Sequence, residues 1–220
     1  GLGRLIEPDE LLGVLNKQKG KIIVTSGPTY EEIDDVKVVT NKSSGKQGRA
    51  LAIELSARGY EIIYIHSASI DHIPGLDNVS FHSSNDLKNK ILENINNTDA
   101  IFMTAAVSDF TVKKSSGKIS RSNGNITLEF IPNEDIIATI KSSYPEIKCI
   151  AFSAQVDDEL NFNKINTKNV DYLVINNILK NNFGSDANKV SIIDQQHLIF
   201  ESEELDKNEI SRDILNALEY

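Results

Sequence analysis

Continuous apolar runs alternate along this chain with stretches in which apolar residues recur every three or four positions. Segment 21–26 (KIIVTS) is apolar without alternation, the pattern of a strand buried on both faces. Across 45–58 Ala50, Leu51, Ala52, Ile53 and Leu55 fall at helical spacing, and Gly59 ends the run. A second strand is expected at 60–66, a short third at 79–82, a helix at 84–96 and a fourth strand at 99–107 (DAIFMTAAV). The order βαββαβ predicts an α/β domain, a mostly parallel sheet with helices on both faces.

The pattern breaks at 111–125 (TVKKSSGKISRSNGN), which is basic, rich in Ser and Gly and nearly free of apolar residues, so a mobile loop or flap is expected. Beyond it the alternation resumes, with a strand at 126–131, a helix at 134–141, a strand at 148–154, a helix at 157–168 and a strand at 171–176. Segments 190–194 and 197–201 flank Gln195-Gln196 as a hairpin at the sheet edge, and a terminal helix follows at 205–218. Residues 1–20 read as a linker and N-terminal helix, and 21–220 as one domain with its flap at 111–125.

Charge narrows the partners. The 23 Lys and Arg against 32 Asp and Glu leave a net charge of −9, which opposes tracking of nucleic-acid phosphates. Apolar content of 40% and charged content of 25% are globular values. The lone Cys149 and four His offer neither an internal disulfide nor zinc-ligand spacing, which suits a reducing compartment. No run nears the ~18–20 consecutive apolar residues of a membrane span, so a cytoplasmic protein without a membrane partner is expected.

In an open parallel sheet ligands gather at the carboxyl ends of the strands. After the first strand, Gly27-Pro28-Thr29 makes a tight turn, and Asn41 to Gly48 (NKSSGKQG) carries an amide, hydroxyls and two cations to a helix N-terminus, a combination that suits a phosphate. The competing reading is that Ser43 or Ser44 caps the helix while Lys42 and Lys46 are solvated. Neither G-x-x-x-x-G-K-[ST] nor G-x-G-x-x-G is present, which weighs against a P-loop enzyme and an NAD(P) oxidoreductase. After the fourth strand, Ala105 and Ala106 let a ligand approach the backbone, and Asp109 either meets a ribose hydroxyl or Mg²⁺ or caps a turn. The flap adds Lys113, Lys114, Lys118 and Arg121, either as phosphate contacts or as solvated loop cations.

Taken in order, G-P-T-x-E-x-I-D, N-x-S-S-G-K-x-G, A-A-V-x-D, a lysine flap, N-x-D-I, a Phe-containing strand end, K-x3-K, D-x-L-V-x-N and F-G-S-D resemble phosphopantothenoylcysteine synthetase, the phosphopantothenate-cysteine ligase of coenzyme A biosynthesis. The resemblance implies a Rossmann-like fold and a ligase that joins 4'-phosphopantothenate to L-cysteine. It implies CTP as co-substrate, an acyl-cytidylate intermediate, CMP and pyrophosphate as products, and Mg²⁺; ATP stands as the alternative nucleotide. A homodimer is also implied. The opening GLGRLIEP is similar to the joint of bifunctional members, in which a phosphopantothenoylcysteine decarboxylase half would hold FMN.

Carried over by the resemblance, Asn41 contacts the acyl-nucleotidylate and Lys118 serves nucleotide binding and condensation. Ala105, Asp109, Glu134, Asp135, Ile136, Ile137, Phe152, Lys164 and Lys168 match nucleotide-site positions. Gly27, Ser43, Ser44, Gly45, Lys46 and Ala106 fit substrate or phosphate contacts, and Cys149 reads as core. The chain departs from the family pattern at Asp35 (usually Pro), Lys37 (Arg), Gln47 (Met), Glu134 (Pro), Gln155 (Glu) and Asn177 (Asp), and the Glu134 and Asn177 changes lie near the base-recognition region. A non-catalytic nucleotide-binding module of a larger flavoprotein is the rival reading, opposed by retained Asn41 and Lys118.

Overall fold

The computed structural model describes residues 19–155, 160, 162–177 and 187–220. Its central sheet has eight strands, β1 (Lys21–Ser26), β2 (Glu61–Ser67), β3 (Asp77–Phe81), β4 (Ala100–Met103), β5 (Lys148–Gln155), β6 (Tyr172–Asn177), β7 (Val190–Ile193) and β8 (Leu198–Glu201). Their order is β8-β7-β6-β5-β4-β1-β2-β3. The first six strands run parallel, while β7 is antiparallel to β6 and β8 to β7, forming the hairpin at the edge. Asp194 closes that hairpin by accepting from the N–H groups of Gln196 and His197.

Among the described residues five helices cover the sheet: α1 (Lys46–Ala57), α2 (Ser84–Asn94), α3 (Ile136–Ser143), α4 (Phe162–Lys168) and α5 (Lys207–Ala217). The uninterrupted apolar runs reflect burial on both faces. Ile22, Val24, Ile62, Tyr64, Phe102 and Ile150 pack with Leu51 and Leu55 of α1 and Ile210 and Ile214 of α5. Their alternates Ile23, Ile63, Ile65, Ile101 and Cys149 pack with Leu87 and Ile91 of α2, Ile136 and Ile140 of α3 and Ile165 of α4. Each such aliphatic side chain contributes about 1.5–3 kcal/mol on burial, which is why tertiary packing sets these elements.

Several boundaries differ from the sequence expectation. The strand expected at 99–107 stops at Met103. There Thr104 N–H turns back to the carbonyl of Phe102, its hydroxyl is taken by the carbonyl of Thr25, and Ala106 N–H pairs with Gly27 O at 2.9 Å. The run is apolar to its end because Ala105 and Val107 pack against the core beyond the strand. The strand expected at 126–131 is Phe130–Pro132, paired antiparallel with Phe110–Val112, so the loop expected at 111–125 begins inside a ribbon and the connecting segment shifts to 113–129. A second ribbon, Tyr30–Glu32 with Val38–Thr40, carries too little apolar sequence to signal itself. Helix α3 starts at Ile136, with Asp135 capping it by accepting from Ala138 N–H at 3.2 Å. The expected linker and helix at 1–20 lies, through residue 18, outside the described residues, as do 157–159 and 161 of the helix expected at 157–168 and the F-G-S-D segment 183–186.

At the centre, α1 approaches the carboxyl ends of β1 and β4 at Gly48, where a Cβ would lie 2.7 Å from Ser26 Oγ and closer still to Thr104 Oγ1. Gly48→Ala gains about 0.8–1 kcal/mol of helix propensity, against about 1–3 kcal/mol for overpacking. The expected outcome is a thermal midpoint lowered by a few degrees, read by circular dichroism. A raised midpoint would show that the contact relaxes without cost.

Candidate functional site

The β-strands on either side of β1 lead away to opposite edges, and a cleft of about 740 Å³ opens at their carboxyl ends. One wall is the segment Asn41 to Gly48 leading into α1, the floor is Met103 to Asp109 after β4 with Ala151 to Ala154 of β5, and the far wall is Asn133 to Ile137 with Lys164 and Lys168 of α4. Val174, Asn176, Val190 and Lys207 complete the lining.

Each wall has a local cause. Gly45 precedes α1 at φ 69, and no side chain caps the helix, so neither Ser43 nor Ser44 takes the capping role. Ser43 Oγ instead accepts from Gly45 N–H at 3.4 Å, and Ser26 Oγ donates to Gly45 O at 2.8 Å. A helix end without a side-chain cap leaves N–H groups and a positive dipole end beside the cleft. Asn41 joins two walls, its Nδ2 donating to Ala106 O at 2.5 Å and its Oδ1 accepting from Ser43 N–H at 3.1 Å. One amide hydrogen and one lone pair of that carboxamide remain for a ligand. Asn133 makes the matching tie on the other side, Nδ2 donating to Ser108 O at 2.8 Å, while Ser108 Oγ meets Thr29 Oγ1 at 3.1 Å.

Opposite charges are interleaved across the cleft. Lys168 pairs with Asp135 at 2.7 Å, and Lys164 donates to Ser153 Oγ at 2.6 Å. Glu134 pairs with Lys88 at 2.5 Å and accepts from Thr139 Oγ1 at 2.6 Å, and the Lys88 ammonium, then the hydroxyl, holds its carboxyl below the usual range. Asp109 stands exposed at the rim, with its main-chain carbonyl taken by Asn133 N–H and no ion pair to its carboxylate among the described residues. Among the described residues no group of three His, Cys, Asp or Glu is arranged to hold a metal ion. Asp109 is a single exposed carboxylate at the rim, the kind of donor that a cation arriving with phosphates takes.

Of the residues singled out from sequence, Asn41, Ser43, Ser44, Gly45, Lys46, Ala105, Ala106, Asp109, Glu134, Asp135, Ile136, Ile137, Phe152, Lys164 and Lys168 come together in this cleft. Gly27 and Lys118 do not line it. Gly27 sits at φ 90 at the end of β1, where a Cβ would lie 2.7 Å from both Ile70 Cγ1 and Ser67 Cβ. Lys118 is exposed in the flap. Thr104 and Lys207 also line the cleft, and so does Asn176, which closes the D-x-L-V-x-N motif; a single polar residue after a strand or at the start of a distant helix carries no local signal.

The flap rests on the ribbon that precedes Asn41. Asp34, with its carboxylate fully enclosed, accepts from Lys37 Nζ at 2.5 Å and from the N–H groups of Val36, Lys37 and Ile119 at 2.8, 2.7 and 2.9 Å. The Lys37 ammonium, aided by these N–H groups and opposed by burial, holds the Asp34 carboxyl well below the usual carboxylate range. Cys149 lies buried in β5, and burial pushes its thiol up to about 12 despite the nearby Lys141 ammonium. Because the thiolate is the reactive form, Cys149 should resist a thiol-specific disulfide reagent at pH 8 in the folded protein and react fully after unfolding. Rapid labelling of the folded protein would place the thiol at the surface.

Comparison with known proteins finds relatives in sequence and fold. A relative named coenzyme A biosynthesis bifunctional protein CoaBC, from Bacillus subtilis, is 32% identical over 235 residues, covering 99% of this chain and 58% of the relative. Another, named cysteine/cysteine sulfinic acid decarboxylase and from an unknown prokaryotic organism, is 29% identical over 242 residues, covering 99% of this chain and 66% of the relative. The chain thus spans between half and two thirds of the length of these relatives. The crystal structure of the C-terminal domain of CoaBC superposes with a TM-score of 0.72 at 28% identity, covering 93% of this chain and 96% of that one. A Cab2 H337A mutant in complex with phosphopantothenate-cysteine shares the fold, with a TM-score of 0.69 at 16% identity over 96% of this chain and 91% of that one. The model of the DNA/pantothenate metabolism flavoprotein C-terminal domain matches residues 17–220. Because that match spans nearly the whole chain and the fold superposes, the chain belongs to the family of DNA/pantothenate metabolism flavoprotein C-terminal domains.

Proposed function

We propose that the cleft is the active site of a phosphopantothenate-cysteine ligase in coenzyme A biosynthesis, using CTP and passing through an acyl-cytidylate. The observation that carries this reading is the convergence of 41–48, 103–109 and 133–137 with Lys164 and Lys168 on one cleft. The names of the CoaBC relatives support a place in coenzyme A biosynthesis, and the Cab2 neighbour holds phosphopantothenate-cysteine, the compound such a ligase would make.

A carboxylate is a poor electrophile, since direct attack by an amine would have to expel oxide. Attack of the carboxylate oxygen on the α-phosphorus of CTP breaks the bond to the leaving pyrophosphate and gives a mixed anhydride. The amine of cysteine then attacks the acyl carbon, the amide forms and CMP leaves with the former carboxylate oxygen; the amine surrenders a proton to solvent. The protein's part is positioning and charge stabilisation. Asn41 meets the anhydride with a neutral carboxamide, Lys164 and Lys168 face the nucleotide from one helix face, and the α1 terminus suits an anion. Mg²⁺ bound with the nucleotide supplies charge neutralisation at the phosphates. Lys118 joins only when the flap moves from the place it occupies here.

A homodimer and a cytoplasmic location belong to the same reading, with a decarboxylase half, fused or separate, as the site of FMN. The two ribbons expose Val38, Phe110, Phe130 and Ile131, each at least 40% accessible, an apolar surface of the kind that a second copy covers. Sedimentation velocity should give a dimer that Phe130→Asp converts to monomer; a monomeric parent protein would contradict the assembly.

Pyrophosphate release from CTP or ATP in the presence of phosphopantothenate and Mg²⁺ tests the reaction, with CTP expected to exceed ATP and cysteine to raise turnover. No release with either nucleotide removes the ligase reading. Asn41→Asp places a second negative charge beside the anhydride and leaves Ala106 O without its donor, so turnover should fall about 100-fold, as for loss of one well-placed transition-state donor. Lys118→Gln should slow condensation and weaken nucleotide binding. Near-normal kinetics in both variants would place the chemistry elsewhere.

A further inference from the structure

Both ribbons grow from the rim of the cleft. The one at 30–40 leaves it at Thr29 and returns at Asn41, with Thr40 Oγ1 donating to Thr29 O at 2.8 Å. The one carrying the flap leaves at Asp109 and returns at Asn133, where Asn133 N–H donates to Asp109 O at 2.8 Å. They are also tied far from the cleft. Ser115 N–H donates to Ile33 O at 2.9 Å, Gly117 N–H to Asp35 Oδ2 at 2.9 Å, Asp35 N–H to Gly117 O at 3.3 Å, and Ile119 N–H to Asp34 Oδ2 at 2.9 Å. Lys37 Nζ reaches Ile119 O at 3.1 Å, and Lys114 lies 3.0 Å from both Glu32 and Asp35.

The backbone on each side of Lys118 is thus held by an aspartate, Gly117 by Asp35 and Ile119 by Asp34. No residue from 110 to 132 lines the cleft in this docked arrangement. We propose that Asp34 and Asp35 are positioning residues that act through Lys118, latching the flap on the 30–40 ribbon so that bringing Lys118 to bound nucleotide requires the latch to open. This deepens the ligase reading and rests on its assignment of Lys118 to the nucleotide.

The two aspartates divide the task. Asp34 also folds its own turn through Val36 and Lys37, so its contact with Ile119 is part of a structural carboxylate site. Asp35 spends its N–H, one carboxylate oxygen on Gly117 and the other on Lys114, all on the flap. At this position the resemblance expects proline, which has neither an N–H nor a carboxylate. The Lys114 pairs are exposed, at 44% for Lys114 and 54% for Asp35, and such pairs are weak and screened by salt. The main-chain bonds therefore set the hold. Where only a fraction of the flaps is undocked, the apparent nucleotide affinity falls by that fraction.

The test uses Asp35→Pro and, should the proline disturb the turn, Asp35→Ala, each alone and combined with Lys118→Gln. Trypsin cleavage at 113–121, followed by mass spectrometry, reads the latch independently of catalysis; CTP affinity by calorimetry reads its cost. Faster cleavage, by about tenfold, is expected in every Asp35 variant. Tighter CTP binding, by about threefold, is expected where Lys118 is present and not where it is Gln. Unchanged cleavage would overturn the latch while leaving the ligase reading intact. Faster cleavage with unchanged or weaker CTP binding would overturn the proposed direction, showing that the docked flap does not oppose binding. If Lys118→Gln alone left CTP affinity unchanged, the assignment of Lys118 would fail and take this inference with it.

Discussion

The close approach of α1 to the carboxyl ends of β1 and β4 is the constraint on which the rest of the molecule depends. Gly48 admits the contact because it has no side chain, with Ser26 and Thr104 filling the space that a Cβ would need. Ser26 fixes the carbonyl of Gly45, and Thr104 is anchored to the end of β1. The chain after β4 can then leave the sheet and pair with Gly27 and Thr29 through Ala106. Without that departure the A-A-V-S-D segment would continue as a strand and the cleft would lose its floor.

From this centre the polar ties spread outward in a connected set. Asn41 links the α1 loop to Ala106, Ser108 links Thr29 to Asn133, and Asn133 leads into the cap of α3. Each tie uses an uncharged amide or hydroxyl near the cleft, whereas the charged side chains pair around its outer wall, as in Lys88 with Glu134 and Lys168 with Asp135. That division suits a site for anionic ligands: neutral groups hold the walls without repelling phosphate, and the cations are kept in place by partners that phosphate can replace or share. The two ribbons continue the same network beyond the rim and bring the flap under the control of the loop that ends at Asn41.

The sheet and its two apolar layers were legible because a strand buried on both faces is dominated by apolar residues, as 22–24 of β1 and the whole of Ala100–Met103 are. The cleft was legible where its lining is contiguous, at NKSSGKQG and AAVSD, and where two lysines fall one helical turn apart. The end of β4 was not, since Ala105 and Val107 are apolar for packing reasons whether or not they belong to a strand. The ribbons were missed because their strands have three residues each and several exposed positions, too short for a periodicity to emerge. The docking of the flap was hidden for another reason: lysines and serines look solvated in sequence, and only the fold brings Asp34 and Asp35 to the backbone of 117–119.

The central claim is that the cleft joins an inert acid to the α-phosphorus of a nucleotide before the amine arrives. The most direct measurement follows the acid's own oxygen, using phosphopantothenate labelled with oxygen-18 in its carboxylate together with nucleotide, Mg²⁺ and cysteine. The account predicts one labelled oxygen in the nucleoside monophosphate, seen by mass spectrometry, and none in pyrophosphate. Label in orthophosphate would indicate an acyl phosphate, and amide formation with no label in any phosphate product would contradict activation in this cleft altogether.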